Sequence, residues 1–148
     1  MEIQGTVYDI LRDKSGNVWT ADPAESVYEA IRRMGEKGIG ALVVVQNGEV
    51  IGVLSERDYS RKIVLQGRTS RDTKVGEIVE SPAISVSNRD GIAKCMELMT
   101  SKRIRHLPVI DDGELAGMVS MGDLMKWVMR SQESTIQQLQ GYISGGGY

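Results

Sequence analysis

Displacing the chain by 65 residues lays Trp19–Asp58 over Ile84–Asp123 without a gap, and ten of those 40 positions are identical. The identities are Met34/Met99, Lys37/Lys102, Ile39/Ile104, Leu42/Leu107 and Val44/Val109, then Gly48/Gly113, Glu49/Glu114, Gly52/Gly117, Ser55/Ser120 and Asp58/Asp123. A period of this length dictates the architecture, because each copy must be one supersecondary unit that buries its apolar face against its neighbour. A shorter match precedes each copy: Thr6-Val7-Tyr8-Asp9-Ile10 parallels Lys74-Val75-Gly76-Glu77-Ile78 at an offset of 68, the extra residues lying within Arg12–Gly16. Half of a 148-residue chain would be marginal alone, since burial falls steeply below about 60 residues. The copies are expected to pack as one body.

Each copy reads β-α-β-β-α, a mixed α/β (α+β) unit. Asp22-Pro23-Ala24-Glu25 offers an N-cap, a proline at N1 and a glutamate at N3, and Val27, Ala30, Ile31 and Met34 follow on one helical face. In the second copy Ser87 and Asp90 cap, and Ile92, Cys95, Met96 and Met99 supply the face. Ala41–Val45, Asn47-Gly48 and Val50–Leu54 predict a hairpin, repeated as Leu107–Ile110, Asp112-Gly113 and Leu115–Val119. Ser55 and Ser120 stand as N-caps for helices over Glu56 to Leu65 and Met121 to Arg130. Residues 1–66 thus hold repeat one with an N-terminal linker strand, and residues 67–130 hold repeat two with its own linker. Residues 131–148 should form a further helix through Ile136, Leu139, Gln140 and Ile143, docked on the body or on a second subunit, before a flexible Ser144–Tyr148 tail.

Charge and composition exclude several classes. Lys plus Arg number 18 against 20 for Asp plus Glu, so no basic excess advertises nucleic acid or an anionic membrane. The longest apolar stretch, Ile39 to Val45, is too short to cross a bilayer. The opening Met1-Glu2-Ile3-Gln4 has no basic segment and apolar run, so no signal peptide is expected. The single cysteine, Cys95, suits a reducing compartment, and a cytoplasmic protein is expected.

The hairpin endings Gly52-Val53-Leu54-Ser55-Glu56-Arg57-Asp58 and Gly117-Met118-Val119-Ser120-Met121-Gly122-Asp123 resemble the Gly-φ-φ-Ser/Thr-x-x-Asp signature of the cystathionine-β-synthase (CBS) domain. Arg105-His106-Leu107-Pro108-Val109 is similar to that family's strand entry. The resemblance covers about residues 3–130, and two such copies form a pseudo-twofold pair called a Bateman module. It implies a regulatory module that binds an adenine nucleotide, AMP first, otherwise ATP, ADP, NAD or S-adenosylmethionine, and that pairs into dimers. Two departures bear on the site. Repeat one has Gly40-Ala41-Leu42-Val43-Val44 without the entry proline, and repeat two has Gly122 where repeat one has Arg57. The two clefts should therefore bind unequally.

The residue types suit the implied ligand. A ribose diol presents two donors that one carboxylate can accept, each bond to a charged group being worth about 1.5–3 kcal/mol. Asp58 and Asp123 are the candidates for that role. The helix starts at Ser55 and Ser120 present free N–H groups to a phosphate, with Arg57 adding charge in the first copy and Arg105 with His106 at the second strand entry. The adenine is expected against backbone near Thr6-Val7 or Lys74-Val75. Thr20, Ala41, Pro108 and Gly122 complete the candidate set.

Each feature also has a plainer reading. Ser-x-x-Asp at a helix start is a capping motif in any protein, and Arg57 can be a solvated first-turn residue. His106, the only histidine, suits a polar contact better than a metal site, which needs companions. Cys95 aligns with Ala30 on an inner face and reads as a buried, inert thiol. The methionines are core and interface filler, and Trp127 is packing. No nucleophile–base pair or metal triad stands out, so catalysis is not expected. The rival to a nucleotide sensor acting on a regulated partner protein is a ligand-free interaction scaffold, motivated by Ile136, Leu139, Tyr142 and Ile143. Nucleic-acid binding through Arg68, Arg71 and Lys74 is the weakest alternative.

Overall fold

The computed structural model describes residues 3–14 and 18–141. Helix α1 (Val7–Asp13), strand β1 (Thr20–Ala21), helix α2 (Val27–Lys37) and strands β2 (Ala41–Gln46) and β3 (Glu49–Ser55) lead into a short α3 (Glu56–Asp58). A π-helical stretch, Tyr59–Val64, continues α3. Then come α4 (Val75–Ile78), α5 (Ile92–Lys102), β4 (His106–Asp111), β5 (Glu114–Ser120) and α6 (Met121–Gly141).

The hairpins form as the sequence predicts. Both turn residues adopt positive φ in each, Asn47 (53°) with Gly48 (81°) and Asp112 (49°) with Gly113 (79°), the combination that matches strand twist in a two-residue turn. Each hairpin also slips register at the same place, between Val44 and Val45 and between Val109 and Ile110. β1 runs parallel to β2. In the second copy the expected first strand shrinks to one parallel bridge, Val86 to Val109.

Three expectations need correction. The helix foreseen from Asp22 starts at Val27, with Ser26 Oγ accepting from Glu29 N–H. The carbonyls of Pro23 and Glu25 instead accept from the amides of Gly76 and Val75 (both 2.9 Å), which holds this segment as a turn ahead of the helix. The mirror image holds in repeat two, where the amides of Val7 and Tyr8 donate to Asp90 (2.9 Å) and Asn88 (3.1 Å), and α5 starts only at Ile92. Second, the N-terminal linker expected as a strand in repeat one is the short helix α1, and the linker of repeat two is the short helix α4. Third, α6 does not stop at Arg130. Between Gly122 and Gly141 it meets no glycine or proline, and it runs on as a single helix. Every described side chain from Ser131 to Gly141 is exposed, so this end does not dock on the body. The expected tail, with Tyr142, Ile143 and Ser144–Tyr148, lies outside the described residues.

Those linker hydrogen bonds exchange the two halves. Val7 and Ile10 of α1 pack into the core of repeat two, with Val86, Ile92, Met99, Leu107 and Leu124. Val75 and Ile78 of α4 pack into the core of repeat one, with Val27, Met34, Leu42 and Leu54. Burying such side chains is worth about 1.5–3 kcal/mol each, so each repeat depends on the linker that precedes the other. Cys95 is fully buried in the second core, and burial pushes its thiol pKa up, as its inert role requires. The signature glycine Gly52 is needed at this crossing. An added Cβ would collide with Val79 and sit 2.8 Å from the Glu80 carbonyl, so only glycine lets the α4 linker pass over β3.

Candidate functional site

The linker that passes Gly52 forms one wall of a groove between the repeats, of about 580 Å³. That volume lies within the roughly 300–1,000 Å³ typical of small-molecule sites. One side is the end of β3 and the start of its helix, from Ser55 to Lys62. The linker contributes Glu80, Pro82, Ala83 and Ile84, and the exit of α5 contributes Lys102 to His106. Gly40 and Val53 complete the lining.

Five candidates from the sequence meet here: Ser55, Arg57, Asp58, Arg105 and His106. The capping and binding readings of Asp58 coexist because its carboxylate divides the work. Oδ2 accepts from Ser55 N–H (2.8 Å) and Ser55 Oγ (3.0 Å), while Ser55 Oγ accepts from Asp58 N–H (3.2 Å). Among the described residues Oδ1 has the Lys62 ammonium beside it, at 3.6 Å, and keeps capacity for a diol. The capping box therefore fixes the orientation of the acceptor.

The groove is cation-rich. Arg57, Arg61, Lys62, Lys102, Arg103 and Arg105 face Glu56, Asp58 and Glu80. Lys62 donates to the Ile78 carbonyl (2.8 Å) and lies 3.4 Å from Glu80. Among the described residues, Arg57, Arg61, Lys102, Arg103 and Arg105 form no ion pair. Arg57 reaches across the groove to the Arg103 carbonyl (3.4 Å). Uncompensated like charge around a concave site focuses a positive potential and attracts anions.

The pseudo-equivalent cleft is different. At the 65-residue offset, Arg57, Lys62, Arg103 and Arg105 become Gly122, Trp127, Gly38 and Gly40. Asp123 already has a cation: Lys14 Nζ donates to its Oδ2 (2.9 Å) and to the Met118 carbonyl (2.9 Å). Burial alone would raise the Asp123 pKa, but the Ser120 amide and the Lys14 ammonium outweigh it and hold the carboxyl below its ordinary value. Lys14 thus places a cation on the same Oδ2 that the Ser120 amide holds.

The other candidates do not line the groove. Thr6 caps α1 and bridges to Gly91, while Val7 and Val75 are fully buried core residues. Lys74 bridges to Ser26. The adenine slot expected beside these residues does not coincide with this groove, because the linkers cross over and pack into the cores. Thr20 gives its carbonyl to Arg33 (2.9 Å), Pro108 its carbonyl to Val86 (3.1 Å), and Ala41 is buried opposite Ser55. Ser120, Gly122 and Asp123 lie at the junction of β5 and α6, outside the groove. Sequence reasoning missed Arg61, Lys62, Arg103 and the Pro82–Ile84 wall. Arg103 had a visible signal: it aligns with Gly38, and both are helix exits in the left-handed region, at φ 56° and 66°.

His106 lines the groove and feels the charges of Lys14, Asp123 and Arg105. Burial lowers its pKa below the usual 6.5, Lys14 pushes the same way, Asp123 opposes, and Arg105 lowers it further. A base with a depressed pKa is neutral above 6.5 and gains charge only as pH falls below that value. His106-dependent affinity should be flat from pH 8 to 6.5 and rise only below. Calorimetry on wild type against His106→Gln isolates it, since a nucleotide phosphate itself titrates near pH 6. A wild-type-specific change between pH 8 and pH 7 would contradict the depressed pKa.

The fold and groove define a tandem α/β repeat with a cleft between its copies, and the comparisons identify its family. The CBS domain model matches residues 7–65 and 75–130, and the chain belongs to this family. The mitochondrial CBS domain-containing protein CBSX3 of Arabidopsis thaliana is 41% identical over 152 aligned residues, covering 95% of this chain and 73% of that protein. A solved CBS-domain structure from Burkholderia ambifaria MC40-6, proposed there to act in signal transduction, is 45% identical with a TM-score of 0.83, covering 86% of this chain and 96% of that one. A hexameric CBS-CP12 protein from bloom-forming cyanobacteria is 27% identical with a TM-score of 0.73, covering 82% of this chain and 70% of that one. CBS-domain proteins are in general regulatory and nucleotide-binding, and some of them are oligomers. No helix among the described residues is long and apolar enough to cross a membrane.

Proposed function

We propose that this chain is a nucleotide-responsive regulatory module holding one adenine nucleotide per chain, in the groove between Ser55–Lys62 and Lys102–His106. The observation that carries this is the set of unpaired cations around Asp58, absent from the pseudo-equivalent cleft. Asp58 Oδ1 accepts the ribose diol, Arg57, Arg103 and Arg105 hold phosphate, and the apolar wall of Pro82, Ala83, Ile84 and Ile104 takes the base. AMP satisfies the diol and one phosphate. The cation excess favours ADP or ATP over AMP, and NAD presents the same adenosine with two phosphates. The module regulates rather than catalyses, through a partner protein or its own assembly, in a reducing compartment such as the cytoplasm. Occupancy shifts that assembly only by the ligand's difference in affinity between states.

Isothermal titration with AMP, ADP, ATP and NAD tests this. We expect one site per chain, tighter binding with more phosphates, and weakening with salt, as exposed charge pairs require. No heat and no melting shift with any of them at millimolar concentration would leave only the ligand-free scaffold, for which the exposed end of α6 is the supporting observation.

A further inference from the structure

Lys62 joins the two parts of the groove assigned above to the nucleoside. Its ammonium donates to the Ile78 carbonyl (2.8 Å) and lies 3.6 Å from Asp58 Oδ1 and 3.4 Å from Glu80. Ile78 ends α4, and the chain runs on from there through Glu80 to the wall at Pro82–Ile84. One side chain thus spans from the diol acceptor to the linker that carries the base wall. The Lys62 side chain is 26% exposed and that of Glu80 is 89% exposed. Solvent screens the pair with Glu80, so the hold on the linker rests on the bond to Ile78.

Both repeats use this position to hold a crossing linker. At the 65-residue offset Lys62 becomes Trp127, whose Nε1 donates to the Gln4 carbonyl (2.7 Å) ahead of α1. The indole has a single donor, and that bond uses it. An ammonium has donors to spare, so Lys62 holds its linker and still faces the signature aspartate. The local backbone differs as well. Tyr59–Val64 is π-helical, with the Leu65 N–H donating to the Ser60 carbonyl (3.1 Å), whereas the matching turns of α6 are regular. Such wide turns are rare and occur mostly at functional sites.

We propose that Lys62 is the positioning residue of the groove: it sets the base wall at a fixed distance from Asp58 and couples a bound nucleotide to the α4 linker. The proposal rests on the nucleotide reading above and adds the route by which occupancy leaves the site. Val75 and Ile78 of α4 belong to the core of repeat one. A nucleotide seated on both Asp58 and the wall binds best while Lys62 holds Ile78, and by linkage it must strengthen that hold in return. The signal is then a firmer crossing of one repeat's linker into the other repeat's core.

Calorimetry with AMP, ATP and 2′-deoxy-ATP tests the positioning. The wild type should bind ATP about tenfold more tightly than 2′-deoxy-ATP, through the bond that Asp58 accepts from the 2′-hydroxyl. Lys62→Met should weaken AMP and ATP by the same factor, about tenfold, and cut the preference over 2′-deoxy-ATP to about threefold or less, because coupled contacts are not additive. Lys62→Arg, which keeps a charged donor for Ile78, should recover most of both. A loss that grows from AMP to ATP would make Lys62 a phosphate contact, and an undiminished preference would leave it only a structural role. Either result overturns the proposal, as does a Lys62→Arg variant no better than Lys62→Met. Hydrogen exchange reads the coupling even if Lys62→Met does not fold. In the wild type, ATP should slow the α4 amides, which lie outside the groove, more than those of α1, and equal slowing would overturn the proposal. A wild type that binds none of these ligands, or that binds ATP and 2′-deoxy-ATP alike, would remove the nucleotide reading itself and this proposal with it.

Discussion

Replacing Asp58 by Ala should weaken nucleotide binding by about 10–100-fold, while Asp123→Ala should change it by less than about threefold. The first figure follows from losing hydrogen bonds to a charged acceptor, about 1.5–3 kcal/mol, at 1.4 kcal/mol per factor of ten. The asymmetry follows from local partners. Asp58 faces a groove lined by cations that form no ion pair among the described residues, whereas Asp123 already holds the Lys14 ammonium and has Gly122, Trp127, Gly38 and Gly40 at the positions matching those cations. Asp58 also caps its helix, so the substitution costs about 1 kcal/mol of stability. Asp58→Asn separates the two effects: it retains an acceptor for the cap and loses the charge, and should still bind weakly. Calorimetry at fixed salt reads all three. Equal losses at Asp58 and Asp123 would mean that both clefts are occupied, and that Lys14 is displaced rather than resident.

Local chemistry made much of this legible and long-range pairing hid the rest. Asn47-Gly48 and Asp112-Gly113 announced their hairpins, because positive φ at both turn positions is a property of those residues alone. Ser55 and Asp58 were identifiable because cap and acceptor lie three residues apart. Asp22-Pro23-Ala24-Glu25 misled for the opposite reason. It is a sound helix start in isolation, but the carbonyls of Pro23 and Glu25 are claimed by amides some fifty residues later in the chain. The same crossing removed Thr6, Val7, Lys74 and Val75 from the site, since no local pattern tells which core a linker will enter. The groove wall at Pro82–Ile84 follows from that crossing and was equally hidden. Lys62 was invisible for a different reason, as a lysine on a helix is ordinary until the fold turns it toward Asp58.

Arg103 could have been found by comparing the repeats, and it supports a prediction of opposite signs. At the exit of α2 the left-handed residue is Gly38, which adopts φ 66° at no steric cost. At the exit of α5 it is Arg103, at φ 56°, where a side chain costs about 1–2 kcal/mol. A strained residue persists where the surroundings use it, and this one lines the groove beside Arg57 and Arg105. Arg103→Gly should therefore stabilise the fold by about 1 kcal/mol, part of the relief being offset by the entropy of glycine in the unfolded chain. The same change should weaken nucleotide binding by about tenfold, through one lost charged contact. Thermal denaturation of the free protein and calorimetry with ATP read the two effects separately. Lys37→Ala, at the start of the corresponding exit in repeat one, is the control. Its ammonium lies over the Trp19 ring at 4.2 Å, away from the residues that line the groove, and affinity should not change. If Arg103→Gly bound ATP as tightly as wild type, the strain would have no ligand to explain it, and the phosphate would have to lie against Arg57 and Arg61 instead.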